Sequence, residues 1–431
     1  MVDLIIACDD AFGIGYQDRL PWNIPEEMQI FKKKTLGCVL LAGTRTYKYL
    51  LPRKLEDRIL VNISHTLPYE QTVEYTREAY PDKKIFVIGG SKLYNYCFSK
   101  PNLINIVHIS FMKGSYVTDV KVNFPIEDYV ILSKEEHKDF VHYELKYFPT
   151  AEKQYKNILS EVLRAPTRIG RNGEVKSLFF NNMTFDLRSG FPLLTTKKMF
   201  FRGIVEELLF FLRGDTDSKI LEEKGINIWK KNTSKEFIDE NRKNLKEGEM
   251  GPMYGYNWRF FGKPYGDESQ TGFDQLSYVV DTILTDPTSR RILMTSFDPA
   301  TSRDCVLYPC HSIVMQFYVE DNFLDMFCYN RSQDLFLGVP FNIASSALLL
   351  TIVANMTGLT ARKLFMTLGD CHIYKEHYEA VELQLKRINY TFPEVKITKS
   401  ITLENLSSVK LEDFTLENYN YHPGIKADMV A

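Results

Sequence analysis

Five short apolar runs constrain the first third of this chain more than any other feature: VDLIIAC, CVLLAG, RILVNIS, KIFVIGG and INIVHISFM. Each is apolar nearly throughout, the pattern of strands buried on both faces of a sheet. Between the first two lies PEEMQIFKKKT, with apolar residues at helical spacing. Strands interleaved with helices predict an α/β layer, with a mostly parallel central sheet and flanking helices. The alternating stretch DYVILSKEEHKDFVHYELKYF closes the block as a hairpin. After Phe148, a new helical face begins almost at once, formed by Tyr155, Ile158, Leu159, Val162 and Leu163. The sequence thus predicts one unit over 1–148, a short linker over 149–151, and a second unit over 152–431.

The second unit reads as α+β. MFFRGIVEELLFFLRGD is an amphipathic helix stopped by Gly214. HSIVMQFYV and FLDMFCYN are strands joined at Glu320–Asp321–Asn322, and FNIASSALLLTIVANMTG is a buried helix ended by Gly358. The polar stretch from Lys230 to Glu249 predicts a solvated loop-helix insertion. No window approaches the 18 consecutive apolar residues of a membrane span, and MVDLIIACDD lacks the basic start of a secretory leader. A net charge of −2 leaves no surplus of cations for general nucleic-acid binding. Seven scattered cysteines fit neither a disulfide framework nor paired zinc ligands. A reducing, cytoplasmic setting without a metal is therefore expected, with each thiol free to be core filler or chemistry.

Two constellations carry that chemistry. In the first helix Ile24, Glu27, Met28 and Phe31 share a face at spacings of three and four, so Glu27 occupies a core position. Burial raises a carboxyl pKa, which is what a proton donor near neutral pH needs; a half-exposed glutamate is the plainer reading. Phe86-Val87-Ile88-Gly89-Gly90-Ser91 is strand, double glycine, then helix start. Such glycines let amides approach a phosphate, or serve turn geometry alone. Further on, Tyr308-Pro309-Cys310-His311 opens one strand and Asn330-Arg331-Ser332-Gln333-Asp334 ends the next. Antiparallel pairing would bring Arg331 near Cys310 and favour its thiolate, the nucleophilic form; otherwise Cys310 is a small buried hydrophobe. Arg171, Arg290 and Arg291 add three guanidiniums, and four around one site match a phosphate dianion. Glu207 lies between Ile204 and Phe211 at helical spacings, a second carboxylate on a buried face. Asn342 begins the apolar helix either as a cap or as a ligand, its amide complementing the NH and carbonyl of uracil.

The set IIA, GIG, LPW before a helical Glu, FKKKT, GTRTY, Arg58 before a strand, and FVIGG-x-x-x-Y resembles dihydrofolate reductase over the first 148 residues. That resemblance implies NADPH as cofactor and Glu27 as the carboxylate that binds the pteridine and helps protonate it. Ile5, Met28, Phe31 and Ile88 would wall the pterin pocket, Trp22 would hold an ordered water, and Arg58 would pair with the folate glutamate. Ala7, Ile14, Gly15, Gly43, Thr46, Ser64, Gly89, Gly90, Ser91, Lys92, Leu93 and Tyr94 would line the NADPH groove. Where the family commonly has Gly-Arg, this chain has Gly43-Thr44, so Arg45 or His65 must meet the 2′-phosphate. A family Thr beside the carboxylate maps to Val107, implying loss of one hydrogen bond of roughly 1 kcal/mol.

From about Glu152 on, FPLLTTKK, EELLFFLRGDT, GPMYGYNWR, DPTSRRI, PCH, RSQD-LFLGVPFNIAS, LGDCHIY and HPGIK resemble thymidylate synthase. The whole chain resembles the bifunctional dihydrofolate reductase–thymidylate synthases. On that resemblance Cys310 attacks carbon 6 of dUMP, and methylenetetrahydrofolate donates the methylene. Arg171, Arg331 and Ser332 hold the phosphate, with Arg290 and Arg291 from a partner subunit, which implies a homodimer. Asn342 reads the uracil edge, and His372 and Tyr374 hold the ribose hydroxyl. Asp334 binds the pterin, Trp229 packs on the folate, and Glu207 with Tyr254 organises waters, while Ile425 to Ala431 closes the site. Asn330 for the usual Gln, and Phe297-Asp298 for a common Trp-Asn, read as tolerated. The rivals are a pyrimidine hydroxymethylase fused to a reductase and a silent folate- or RNA-binding homologue; retained Trp229 with the C-terminal closing segment argues against the first, and the co-occurrence of Cys310, Glu27 and the four arginines against the second.

Overall fold

The first strand, β1 (Val2–Cys8), shows how the N-terminal unit of this computed structural model coheres. Successive side chains of a strand face opposite ways. Leu4 and Ile6 therefore enter one core with Val107 and Ile109, while Ile5 enters another with Leu40, Phe86 and Ile88. The unit continues with β2 (Gly13–Gly15), α1 (Pro25–Thr35), β3 (Val39–Gly43), α2 (Thr44–Leu50), β4 (Ile59–Ile63) and α3 (Tyr69–Ala79). After these come β5 (Ile85–Val87), α4 (Ser91–Phe98), β6 (Ile104–Met112), β7 (Val120–Lys121), β8 (Tyr129–Glu136) and β9 (Phe140–Tyr147). The main sheet has the order β4-β3-β5-β1-β6-β9-β8, parallel as far as β6 and antiparallel in the closing hairpin. The structure describes every residue except Lys54, His65, Thr66, Arg171 and Ala431. His65 and Arg171, both expected at sites, thus lie outside the described residues.

Contacts group Met1–Thr150 with Ile388–Tyr390, and Ala151–Arg387 with the residues from Thr391 on. The excursion of Ile388–Tyr390 has no counterpart in the sequence reading. It arises because Ile131 N donates to Asn389 O at 3.0 Å, extending strand pairing beyond β8.

The C-terminal unit runs α5 (Glu152–Leu163), β10 (Thr167–Gly170), β11 (Gly173–Asp186), α6 (Phe201–Arg213), α7 (Lys219–Glu223), α8 (Lys235–Glu240), α9 (Gly255–Phe260) and α10 (Gln275–Thr285). It continues with β12 (Leu293–Thr295), β13 (Val314–Glu320), β14 (Phe323–Asp334), α11 (Gly338–Thr357), β15 (Thr360–Tyr374), α12 (Tyr378–Leu385), β16 (Glu394–Ile397) and β17 (Phe414–Glu417). Six strands form the sheet β10-β11-β15-β14-β13-β12, in which only β14 and β15 run parallel. One face of it packs on α11, whose Pro340 sits in the first turn, where no hydrogen bond is lost. Gly358 ends that helix at φ 69 and Gly214 ends α6 at φ 81, left-handed positions that favour glycine. α11 is long and apolar enough to cross a membrane, but most of its residues are buried in this core. Within the polar stretch, α8 is capped by Ser234, which accepts from Phe237 N at 3.2 Å.

Candidate active sites

In the N-terminal unit, chemistry gathers around the carboxyl ends of the parallel strands, the usual crevice of such sheets. Glu27, in the first turn of α1, is 6% exposed. Burial raises its carboxyl pKa, and a hydrogen bond from the Ser110 hydroxyl pulls it back. Ser110 corrects one expectation. Val107 pairs with Leu4 and points into the other core, whereas Ser110 pairs with Ala7 on the Glu27 side, so the missing hydroxyl is present three residues later. Met28, the next residue along α1, is 46% exposed, beside rather than within the buried cluster. Ile5, Phe31 and Ile88 do share one cluster, joined by Leu50 and Leu55, which the sequence reading passed over. Trp22 is buried, and its indole Nε1 meets no hydrogen-bond partner among the described residues, which suits a small polar partner. Arg58 is half-buried, its Nη1 3.5 Å from Thr35 Oγ1.

Beside this pocket the turns after β3 and β5 meet. Gly43 N donates to Gly89 O at 2.7 Å. A Cβ on Gly89, at φ 110, would stand 3.0 Å from the Tyr94 ring, and one on Gly90 3.3 Å from Thr46 Oγ1. Gly89 is held by its positive φ and the Tyr94 ring, Gly90 is closely crowded, and the bare backbone they leave is a cradle suited to the phosphates of NADPH. Ser91, Lys92, Leu93 and Tyr94 form the first turn of α4, where Tyr94 Oη donates to Ile5 O at 2.5 Å. Ala7 lies on β1, Ile14 and Gly15 on β2, and Ser64 just after β4. Arg45 is paired at 3.2 Å with Asp18, both well exposed.

In the C-terminal unit the site is built by extending the β13–β14 ladder. Beyond the pair Ile313 N to Tyr329 O at 2.9 Å, Arg331 N donates to Cys310 O at 2.8 Å and Ser332 N to the same oxygen at 3.3 Å. The guanidinium of Arg331 donates to Pro309 O at 3.3 and 3.2 Å. Tyr254 Oη accepts from Cys310 N at 3.2 Å and lies 3.6 Å from the sulfur. Burial pushes the Cys310 thiol up; the Tyr254 hydroxyl and the Arg331 charge draw it back towards thiolate. Trp229 Nε1 donates to Glu207 Oε1 at 2.7 Å, while burial lifts that carboxyl to about 7. With the Trp229 and Tyr254 rings 6.2 Å apart, Glu207 is joined to the sulfur by a wall of aromatic groups.

Asn342 is not a cap, because α11 already begins at Gly338. Its Nδ2 donates to Gln333 Oε1 at 3.0 Å, and Gln333 Nε2 donates to Cys310 O at 3.2 Å. Gln333 was not singled out from the sequence, though strand alternation places it on the face of Arg331. Asp334 accepts from the amides of Phe336 and Leu337 at 2.9 and 3.2 Å, shaping the entry to α11. His372 Nδ1 is 2.9 Å from Asp370, and the Tyr374 ring lies 5.1 Å from the His372 ring on the same strand. Arg290 and Arg291 are exposed, and their side chains make no hydrogen bond or ion pair among the described residues. Asn330 accepts from Ser312 N at 2.9 Å while its buried Nδ2 meets no hydrogen-bond partner among the described residues, and Asp298 accepts from Ala300 N at 2.9 Å. Near the C-terminus Ile425 and Ala427 pack on the core, and Asp428 O meets His377 Nε2 at 2.8 Å.

Comparison with known proteins agrees with this division. The dihydrofolate reductase family model matches residues 1–151 and the thymidylate synthase model residues 153–431. A bifunctional dihydrofolate reductase-thymidylate synthase of Paramecium tetraurelia is 34% identical, with the match covering 99% of this chain and 98% of that protein. The protein of the same description from Leishmania major is 31% identical over 99% of this chain and 94% of its own length. The thymidylate synthase of Homo sapiens is 43% identical over 65% of this chain and 91% of that protein.

Proposed function

The chain belongs to the bifunctional dihydrofolate reductase–thymidylate synthase family, and on that premise we propose how its residues divide the work. It methylates dUMP to dTMP with methylenetetrahydrofolate and reduces the resulting dihydrofolate with NADPH. We read the first unit as the α/β reductase and the second as the α+β synthase.

In the synthase, Cys310 adds through its sulfur to carbon 6 of dUMP, and carbon 5 of the enolate then takes the methylene. Arg331 and Ser332, with Arg171, hold the phosphate; a bidentate guanidinium suits a dianion. Asn342, steadied by Gln333, reads the uracil edge, while His372 and Tyr374 hold the ribose hydroxyl. Asp334 binds the pterin and Trp229 packs on the folate. Glu207, with a pKa of about 7, and Tyr254 organise the waters that move protons. The observation that carries this half is Cys310, a thiol facing Tyr254 and bracketed by Arg331. Because the folate gives up both a carbon and a hydride, it leaves as dihydrofolate, the substrate of the first unit.

In the reductase, Glu27 holds and delivers the proton to a pteridine walled by Ile5, Met28, Phe31 and Ile88, and Arg58 receives the folate glutamate. NADPH supplies the hydride when bound. The backbone of Gly43, Gly89 and Gly90 would hold its phosphates, and Arg45, paired with Asp18 here, would meet the 2′-phosphate.

The active form is a homodimer. Tyr318, Phe327 and Phe365 are exposed on the sheet face opposite α11, an aromatic patch suited to a second copy. The same pairing lets Arg290 and Arg291 reach the partner's phosphate site. Seven unpaired cysteines support a reducing, cytoplasmic setting. The test is spectrophotometric: dUMP with methylenetetrahydrofolate should yield dihydrofolate, and added NADPH should consume it. A protein that forms no dTMP, and no covalent adduct at Cys310 with a fluorinated dUMP analogue plus folate, would overturn the assignment.

A further inference from the structure

We propose that His142 is a positioning residue of the reductase: through Ser110 it keeps that hydroxyl a donor to the Glu27 carboxylate. This rests on Glu27 being the proton-bearing group of that site.

Ser110 and His142 are direct cross-strand partners on β6 and β9, with Oγ and Nδ1 3.0 Å apart, and both residues are buried. Burial lowers the imidazole to about 4, so His142 is neutral at working pH and carries a single N–H. Its Nε2 is buried and meets no hydrogen-bond partner among the described residues. An orphaned buried N–H is rarer than an under-used acceptor, so the proton belongs on Nδ1. Ser110 then accepts from His142, and its own hydrogen is directed at Glu27. A hydrogen bond to the charged form favours that form. His142 thereby holds in check the rise that burial imposes on Glu27.

Other charges face the pair from every side. Lys34 on α1, His108 on β6, Glu144 on β9 and His137 before β9 act on His142, and Tyr94 on α4 faces Glu27. Lys34 and Glu144 pair at 2.7 Å, and His108 lies 3.3 Å from Glu144 and 3.8 Å from Asp3. Lys34, His108 and His137 push the imidazole pKa down and Glu144 pushes it up, while the Ser110 hydroxyl is the group that hydrogen-bonds Glu27 itself.

Reduction needs protonated Glu27, so kcat/KM for dihydrofolate falls as pH rises through the carboxyl pKa. In the full-length enzyme, His142→Phe should move that falling limb towards alkaline pH by about one unit. Ser110→Ala should give at least as large a shift, and the double variant none beyond that of Ser110→Ala. His142→Asn places an amide donor where Nδ1 stood and should return the limb towards its original position. NADPH binding by the same preparations checks that the reductase unit has folded. A limb that stays in place in folded His142→Phe, or that Asn restores no better than Phe, overturns the inference. Failure of the underlying reading is distinct: Glu27→Gln would then keep both normal activity and the normal limb.

Discussion

Glu27, Glu207 and Cys310 are ionisable groups whose charged forms burial penalises, and each is checked by named neighbours: Ser110 for Glu27, Trp229 for Glu207, and Tyr254 with Arg331 for Cys310. Cys310→Ser should cut dTMP formation at least about a thousandfold while NADPH oxidation with dihydrofolate continues. Glu27→Ala should do the reverse, lowering reduction by about 10²–10⁴-fold with dTMP formation kept. Loss of both activities in either folded variant would mean that the two sites are not separate. Glu207 also makes a stability prediction. Its folded pKa of about 7 lies above the ordinary 4.5, so it binds its proton more tightly in the folded state. Its stabilising contribution is complete below 4.5 and disappears as pH climbs to 7, a change of up to about 3 kcal/mol. Urea unfolding at pH 5 and pH 8 should therefore differ less for Glu207→Gln than for the native chain. Asn342→Asp should shift preference from dUMP towards dCMP, measured as relative kcat/KM; unchanged preference would leave Asn342 with a purely structural role.

At the scale of elements, the strands and long helices were legible because their patterns are local. The run VDLIIAC becomes β1, and Gly214 and Gly358 end α6 and α11 where the sequence placed those stops. Gly358→Ala should cost about 1 kcal/mol, since a Cβ there meets open space and only the left-handed backbone resists it. Gly214→Ala should cost more, because its Cβ would fall 2.7 Å from the Phe260 ring. Denaturation midpoints of the two variants decide the order. Register was less legible. The hydroxyl beside Glu27 was sought at Val107 and found at Ser110, because pairing of β6 with β1, not order along the chain, decides which side chain faces α1. The start of α11 at Gly338, rather than at the Asn, likewise moved Asn342 from the cap into the second turn, where Gln333 could reach it.

For the whole molecule the central prediction concerns two chains. Cys310→Ser and the double variant Arg290→Ala/Arg291→Ala should each be poor synthases alone. Mixed and re-equilibrated in equal amounts, they should regain about a quarter of native activity, since half the dimers would hold one complete site. No recovery would place the arginines with their own chain's cysteine. Sequence alone determined which chemistries this protein contains, because motifs such as PCH, RSQD and FVIGG fix residue types at spacings along the backbone. It also determined the two-part organisation, through the change in hydrophobic pattern near residue 150. Only the tertiary structure decided which hydroxyl meets Glu27, that His142 stands behind it, that Gln333 joins Cys310 to Asn342, and that Ile388–Tyr390 belong with the first unit. Those contacts join residues far apart in the chain or on different elements. Their partners are chosen by strand register and burial, quantities that exist only once the chain has closed on itself.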